Sequence, residues 1–530
     1  MKRCLIIFAI LLNVVGLFSQ DKPNVVVWFL DNLAIGDVGY NNSEISTPNF
    51  DAFVQNDGAV NLSNFRNTNG LCSPSRAAIL TGRPACEVGM FLTGPQTQSE
   101  ILTEELTLAE ILKSQGYRTG VFGKWHLSQL LASPGVYDTE KYGFDHAYTR
   151  VGVVNGQIES SESMWRRGIP QQWLDTVVNK PDPFFLFFAV PEPHPIVHPV
   201  HGDPGGQWTY HDPAYGGTLS GPNDFRSQYI GSEQLPNNYG YSQNPALDTN
   251  FVDYAATISA ADWAFGEFIQ YLKDAGEYDN TIIILSSDNG GLQAASVTAT
   301  NLIPNQGINL SGNLGKVYDG SLRVPTAIRW GNGNWTNRTV TTLASHYDLM
   351  PTLAAVVGST NPLAYQGCGE DISEILSGQT TIRQKGLYVE TISGGSRING
   401  GGSTPRPAGG FWPNGRTGRN TMYQNELAFV NAAGTKKIVA GFFPYQLDMG
   451  EPLDWRRVQT VDPRSWQFYD LTVDPLEEFD LYDTVTGADL LEFQAMQREM
   501  LLNVKNTARR MPMRSWINKA QNLVGVPSTN

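Results

Sequence analysis

The sequence predicts an α/β protein. A large mixed, mostly parallel sheet is sandwiched by helices, and a smaller C-terminal α+β domain carries an antiparallel sheet. Three observations carry this. Apolar runs of strand length recur, each closed by a polar or charged residue. Helical patterns lie between them, as an open α/β sheet requires. After about residue 380 the composition changes and Gly and Pro gather.

Taken in order, the chain begins with basic Lys2 and Arg3, an apolar run from Leu5 to Phe18, and small Ser19. This reads as a secretory signal over residues 1–19, cut near Ser19/Gln20, because the run is short for a bilayer span. The mature chain is expected to be exported, periplasmic or secreted, with no membrane span. "NVVVWFL" before Asp31, "TGVFG" before Lys124, "PFFLFFAV" before His194 and "TIIILSS" before Asp288 are continuous apolar runs. Such runs suit strands buried on both faces. Helical spacing covers Leu106 to Gln115 and Phe251 to Gly276, where glycine is the stop. Residues 199–250, rich in Gly, Pro, Asn and Tyr, read as a long surface insertion. The boundary falls near 378, giving domains 20–378 and 379–530. The second opens with a Gly/Pro-rich loop, 393–420, that carries Arg397, Arg406, Arg416 and Arg419 and no acid. A hairpin turning at Ala433-Gly434 and a helix from Asp489 to about Met511 follow.

A net charge of −14 argues against general binding to nucleic acid or an anionic membrane. Attraction for an anionic substrate must then be local to a site. Once Cys4 leaves with the signal, Cys72, Cys86 and Cys368 remain. Three is an odd number for an oxidising compartment, where a spare thiol is reactive or altered. A Cys86–Cys368 bridge stays open.

In an open α/β sheet the active site lies beyond the carboxyl ends of the strands. Asp31, Lys124, His194 and Asp288 all fall there. Asp31-Asn32 and Asp288-Asn289 are two carboxylate-plus-amide pairs, oxygen donors that a hard cation prefers. Each alone reads as a helix cap or turn; their shared place at strand ends favours a metal. Lys124 and His126, two apart, share a side if the chain is extended. With Arg76 and Lys316 they describe an oxyanion pocket around the acids. His194, held between prolines in "PEPHP", is read ahead of His198 and His201 as a general acid.

One stretch fixes these readings together. Cys72-Ser73-Pro74-Ser75-Arg76, continuing through Leu80-Thr81-Gly82-Arg83, resembles the signature of the type I, formylglycine-dependent sulfatases of the alkaline phosphatase-like superfamily. "PNVVVWFLDNLAIGDVGY", "TLAEILKSQGYRTGVFGKWHL", "PFFLFFAVPEPHP", "DNTIIILSSDNG", "LGKVYDGSLRVP" and "FYDLTVDPLEEFDLYD" resemble further segments of that family, so the likeness runs from about residue 23 to 485. It implies a sulfuric ester hydrolase whose catalytic domain is 20–378. A maturation enzyme, formylglycine-generating or sulfatase-maturing, would read Cys-x-Pro-x-Arg and oxidise Cys72 to 3-oxoalanine. One hydroxyl of the hydrated aldehyde attacks sulfur and displaces the alcohol. Deprotonating the other expels sulfate and restores the aldehyde. A helix over 75–81 would favour an anion at its start.

By the same resemblance Asp31, Asn32, Asp288 and Asn289, with residue 72, hold Ca²⁺ in preference to Mg²⁺. Arg76 and Lys124 hold the diol and metal-side charges, His126 takes the proton that releases sulfate, Lys316 binds sulfate, and His194 protonates the leaving oxygen or shares that duty with Lys316. The family usually has Asp-Asp where this chain has Asp31-Asn32. The amide keeps the oxygen but removes a charge, so metal affinity should drop. The expected substrate is a sulfated polysaccharide or its oligosaccharides, met by Arg397, Arg406, Arg416 and Arg419, with Phe411, Trp412 and Tyr423 stacking on sugars. Three alternatives stand beside this: a phosphonate or phosphodiester hydrolase of the same superfamily, an inactive carbohydrate-binding relative, and an inert protein of the same fold in which Cys72 stays a thiol. The second is disfavoured by the complete set of nucleophile, metal pairs, lysines and histidines.

Overall fold

The computed structural model describes residues 22–43, 45–90, 100–128, 130–132, 136–149, 160–194, 245–291, 310, 314–392, 425–442 and 466–510. The expected signal segment, most of the expected insertion and the arginine-bearing loop lie outside the described residues.

The main sheet uses β1 (Asn24–Leu30), β2 (Val60–Leu62), β3 (Arg118–Gly123), β4 (His146–Tyr148), β5 (Phe184–Ala189), β6 (Thr281–Ser287), β7 (Ala327–Arg329) and β8 (Thr339–Val340). Its eight strands run in the order β8-β2-β7-β6-β1-β5-β3-β4. β1 pairs parallel with both β5 and β6, and β3 pairs parallel with β5 and β4. Only β7 runs against its neighbours, β2 and β6, so the sheet is mixed and mostly parallel as expected.

The apolar runs have a direct physical cause. Side chains alternate between faces along a strand, and here both faces are covered. Val25, Val27 and Phe29 of β1 join one core, while Val26, Trp28 and Leu30 join the other. The first core also takes Ala77, Ile79 and Leu80 of helix α2 (Cys72–Thr81) and Leu108, Ala109 and Leu112 of α3 (Leu108–Ser114). The second takes Phe50 and Phe53 of α1 (Pro48–Gln55), Trp173 and Leu174 of α5 (Ile169–Val177), and Phe265 and Phe268 of α6 (Pro245–Asp274). The short helix α4 (Ser161–Arg166) adds Met164 and Trp165 to it.

α3 starts where its sequence says it should. Thr107 accepts from the Glu110 amide at 3.1 Å, and Glu110 accepts from the Thr107 amide at 2.8 Å, a capping box. α6 begins at Pro245, six residues before the expected start. The last residues of the insertion are therefore helix.

A second sheet is antiparallel throughout: β9 (Leu387–Ile392), β10 (Asn425–Val430), β11 (Lys436–Phe442) and β12 (Gln467–Asp470), in that order. The β10–β11 hairpin carries Gly434 at φ +72° in its turn, where a side chain would be strained. One face of this sheet, with Val389, Ala428, Val439 and Tyr469, packs on Val317, Tyr318, Leu322 and Tyr347 of the first unit. The other, with Leu427, Phe429, Ile438 and Phe468, packs on Phe493, Met496 and Met500 of α8 (Gly487–Arg510). Between α6 and α8, helix α7 (His346–Val356) packs against α2.

Candidate active site

Four adjacent parallel strands, β6-β1-β5-β3, end side by side. The residues that follow them are Asp288, Asp31, the Val190–His194 segment and Lys124. Peptide hydrogen bonds tie these ends together. The Asp288 amide donates to Leu30 O at 2.9 Å, the Asp31 amide to Glu192 O at 2.9 Å, and the Lys124 amide to Ala189 O at 2.8 Å. The strand-end placement read from the sequence is therefore correct.

Above this row sits α2, which begins at Cys72 itself rather than at residue 75. Its start is set by the Ser75 amide donating to Leu71 O at 3.0 Å, with Leu71 extended. Its end is Gly82 at φ +64°, the left-handed stop that glycine supplies. Cys72 Sγ lies 3.5 Å from Asp31 Oδ1 and 3.7 Å from Asn32 Oδ1. The first-turn amides of α2 and their dipole end face the same point.

One turn on, Arg76 is wholly buried and binds three acceptors. Nε donates to Asp288 Oδ2 at 2.9 Å, Nη2 to Asp31 Oδ2 at 3.1 Å, and Nη1 to the Lys124 carbonyl at 2.8 Å. Its guanidinium carbon stands 5.6 Å from the centre of the Phe29 ring. Lys124 pairs with Asp31. Asn32, at φ +66°, donates its amide to Asp288 Oδ1 at 3.0 Å. Its own Oδ1 accepts from Asn289 Nδ2 at 2.5 Å. Reactive atoms of Asp31, Cys72 and His194 lie within 4.8 Å of one another.

The expectation that Lys124 and His126 share a side of an extended chain is not met. Gly123 turns at φ +86° and His126 at φ +59°, so the chain leaves strand geometry immediately. His126 still reaches the same charges, through the turn instead of the strand.

Burial and charge set the protonation states. Burial opposes ionisation of Asp31, but Lys124, His194 and Arg76 outweigh it and hold the carboxyl well below its usual range. Asp288 moves the other way, to about 6, because burial and the Asp31 charge outweigh Arg76 and Lys124. Burial and the field of Lys124 take His194 down to about 4 and His126 well below its ordinary value, so both rings are neutral near pH 7. Burial, then Asp31, pushes the Cys72 thiol well above its ordinary value. As a thiol it is a poor nucleophile here, since the thiolate is the reactive form.

Asp31, Asn32, Asp288 and Asn289 offer hard oxygen donors of the kind that suit Ca²⁺ or Mg²⁺. Asn289 Oδ1 is buried and takes no hydrogen bond in the structure, which fits a donor facing a cation. The loop that carries Lys316 meets the chain leading into Cys72. The Gly315 amide donates to Gly70 O at 2.7 Å, two residues before Cys72. A Cβ on Gly70 would meet Lys316 O at 2.5 Å, so only glycine permits this approach. Lys316 Nζ pairs with Glu426 Oε1 at 3.2 Å. Arg397, Arg406, Trp412, Arg416 and Arg419 lie outside the described residues.

Sequence reasoning missed Glu192 and Glu426. Glu192, wholly buried, accepts from the Ser161 amide at 2.8 Å and its hydroxyl at 3.0 Å while its carbonyl holds Asp31. Its place between the prolines of "PEPHP" was the available clue. For Glu426 the clue was an acid inside the apolar strand "NELAFV". Cys86 and Cys368 form no disulfide. Cys86 instead lies against Glu390, which accepts its amide at 3.0 Å.

Buried Arg76 and Lys124, beside two acids at the start of α2, are the kind of groups that a hydrolase of anionic esters uses. The whole sequence narrows this class. Residues 23–359 match the Sulfatase family model, and the chain belongs to the sulfatase family, hydrolysing sulfate esters. Human arylsulfatase A is 26% identical over 502 residues, covering 92% of this chain and 89% of its own. The ulvan-active sulfatase of Formosa agariphila is 26% identical over 376 residues, 68% of this chain and 66% of its own. Among solved structures, Ps i-CgsB in complex with k-i-k-neocarrahexaose shares the fold, with a TM-score of 0.62 and 20% identity, over 96% of this chain and 98% of that one.

Proposed function

We propose that this is an exported, formylglycine-dependent sulfatase acting on a sulfated polysaccharide or its oligosaccharides. The observation that carries it is the seat of Cys72: the first residue of α2, against the Asp31 and Asn32 oxygens, with its thiol held protonated. A buried thiol of that kind has no use as sulfur. As the precursor of an aldehyde hydrate it has one, since the hydrate supplies one hydroxyl to attack sulfur and a second whose deprotonation expels sulfate. A dication held by Asp31, Asn32, Asp288 and Asn289 would polarise the sulfate oxygens. Ca²⁺ suits this set of protein oxygens better than Mg²⁺, which keeps its waters.

The remaining work belongs to the side chains around it. Arg76 and Lys124 keep Asp31 ionised and fix its direction. His126, neutral near pH 7, is free to take a proton from the diol. His194, with a ring nitrogen within 4.8 Å of Cys72 Sγ, would give one to the leaving oxygen. An arriving sulfate offsets the Lys124 field and so favours the protonated ring. Lys316, on the loop that meets Gly70, would supply a cation for the sulfate.

The polysaccharide reading is supported by a relative named an ulvan-active sulfatase and by a fold neighbour solved in complex with k-i-k-neocarrahexaose. It is also supported by chain connectivity. The segment carrying Arg397, Arg406, Trp412, Arg416 and Arg419 joins Ile392 to Asn425, which pair in register. The next pair inward, Thr391 and Glu426, touches Gly70 and Lys316. The segment therefore leaves and rejoins the second sheet one residue from the contacts to Gly70 and Lys316, and its arginines would meet further sulfates or uronates.

Mass spectrometry of the peptide holding residue 72, from protein made in a host with the maturation enzyme, tests the nucleophile. An aldehyde is expected, and an intact thiol in a protein that turns over sulfate esters would overturn the mechanism. Replacing the four arginines by Ala should cut turnover of a sulfated oligosaccharide at least tenfold and leave a small aryl sulfate within about twofold. Equal turnover of both substrates before and after would end the substrate reading.

A further inference from the structure

The second sheet contributes to the site as well as packing against it. Lys316 sits in a loop between the main sheet and β10, and Glu426 reaches it from β10 with Oε1 3.2 Å from Nζ. Glu426 is nearly buried, 7% exposed, while Lys316 keeps about a third of its side chain open. The Glu426 carboxyl is raised by burial, and it is drawn back down by Lys316 and the backbone amide of Val317. It therefore holds the tip of the lysine. Its other oxygen, Oε2, takes no hydrogen bond.

A second contact fixes the direction of this grip. Thr391, the register partner of Glu426 on β9, accepts the Gly70 amide on its hydroxyl at 3.2 Å. One cross-strand pair thus touches the loop leading into residue 72 with one side chain and Lys316 with the other. Further along the same loop, Asp319 accepts Arg66 through both oxygens at 3.0 and 2.6 Å and Lys437 of β11 at 3.0 Å. Its amide donates to Glu477 at 2.7 Å.

Stability alone does not account for Glu426. A buried ion pair is often no better for stability than apolar residues of the same volume. What it does provide is a fixed lysine. A free Lys side chain carries rotamer entropy that must be lost when it grips an anion. Ordering it beforehand removes that cost from binding and from the transition state.

We infer that Glu426 is a positioning residue for sulfate ester hydrolysis: it holds Lys316, whose loop lies against the segment leading into residue 72, so that the second sheet completes the sulfate pocket. This rests on the role proposed above for Lys316, and a double-mutant cycle separates the two. Glu426→Gln keeps the shape and an acceptor oxygen; Glu426→Ala removes both. With a small aryl sulfate, kcat/KM is expected to fall about 10- to 100-fold in Glu426→Ala and less in Glu426→Gln, the range of one hydrogen bond to a charged group. In a Lys316→Ala background neither change should alter kcat/KM by more than about twofold. Thermal unfolding of all the variants accompanies the kinetics. A merely structural Glu426 would lower activity by the same factor in both backgrounds, and that result overturns the inference, as does an unchanged kcat/KM. If Lys316→Ala itself leaves turnover intact, the lysine's role falls and the inference falls with it. If Lys316→Ala abolishes turnover but shows no coupling to Glu426, only the inference is lost.

Discussion

Asn32 offers a sharp test, because it is where the chain departs from the acid pair usual in the family. With both acids ionised, Asp31 and Asp288 are balanced by Arg76 and Lys124, so the four formal charges cancel. Asn32→Asp adds a negative charge without strain. The residue stands at φ +66°, a conformation that Asp tolerates nearly as well as Asn. Its amide can still donate to Asp288, and its oxygen can still accept from Asn289. A pair of unit charges about 4 Å apart interacts by about 4 kcal/mol at an effective dielectric near 20, hence about 8 kcal/mol with a dication. Desolvating the new carboxylate costs several kcal/mol in return. The balance of about 2–4 kcal/mol corresponds to roughly thirty- to several-hundred-fold tighter Ca²⁺ binding.

Calorimetric titration of chelator-treated protein with Ca²⁺ reads this directly, without turnover. The metal-free variant should melt below the parent, since it holds a third buried acid beside two others, and should gain more on adding Ca²⁺. Burial and the neighbouring acids raise the pKa of the new group, so its advantage should fade as pH is lowered. Affinity unchanged within about threefold would show that residue 32 does not face the ion, and the assignment of the acid/amide pairs as its ligands would fail.

Two further outcomes follow from buried charge. Arg76→Met leaves acceptors on Asp31, Asp288 and the Lys124 carbonyl without their donor; stability should drop by about 3–5 kcal/mol in denaturant titration, and a loss below about 1 kcal/mol would contradict the geometry. Asp319 is opposed by burial, but Arg66 and Lys437 outweigh it and depress its pKa. Its contribution is thus full above the ordinary carboxylate value near 4 and is lost as pH falls below it. Asp319→Asn should therefore weaken the protein at pH 7 yet flatten the decline in stability below about pH 4; an unchanged acid limb would refute the pairing.

Much of the catalytic side of the fold was legible from residues 23 to 359. β1, β3, β5 and β6 are buried on both faces, so their sequences carry uninterrupted apolar runs, and a run that stops at a charge marks a strand end. α3 announced itself through Thr107 and Glu110, because a cap is a local contact. The start of α2 was misplaced by three residues: Cys72, Ser73 and Pro74 look like a loop, yet Pro is well tolerated in a first helical turn, where its missing amide would have had no partner. The geometry of His126 was misjudged because a left-handed turn after Gly123 leaves little trace in residue type.

The sequence by itself determined which groups the site contains, since the chemistry of a carboxylate, guanidinium or imidazole travels with the residue and strand ends are marked by local pattern. The tertiary structure alone decided how they meet. It put Arg76 between Asp31 and Asp288, residues 257 positions apart in the chain, brought Gly70 against Lys316, and carried Glu426 from a second sheet to a lysine 110 residues earlier. Contacts of that length depend on sheet order and on the packing of one layer against another, and neither is encoded in any short stretch of chain.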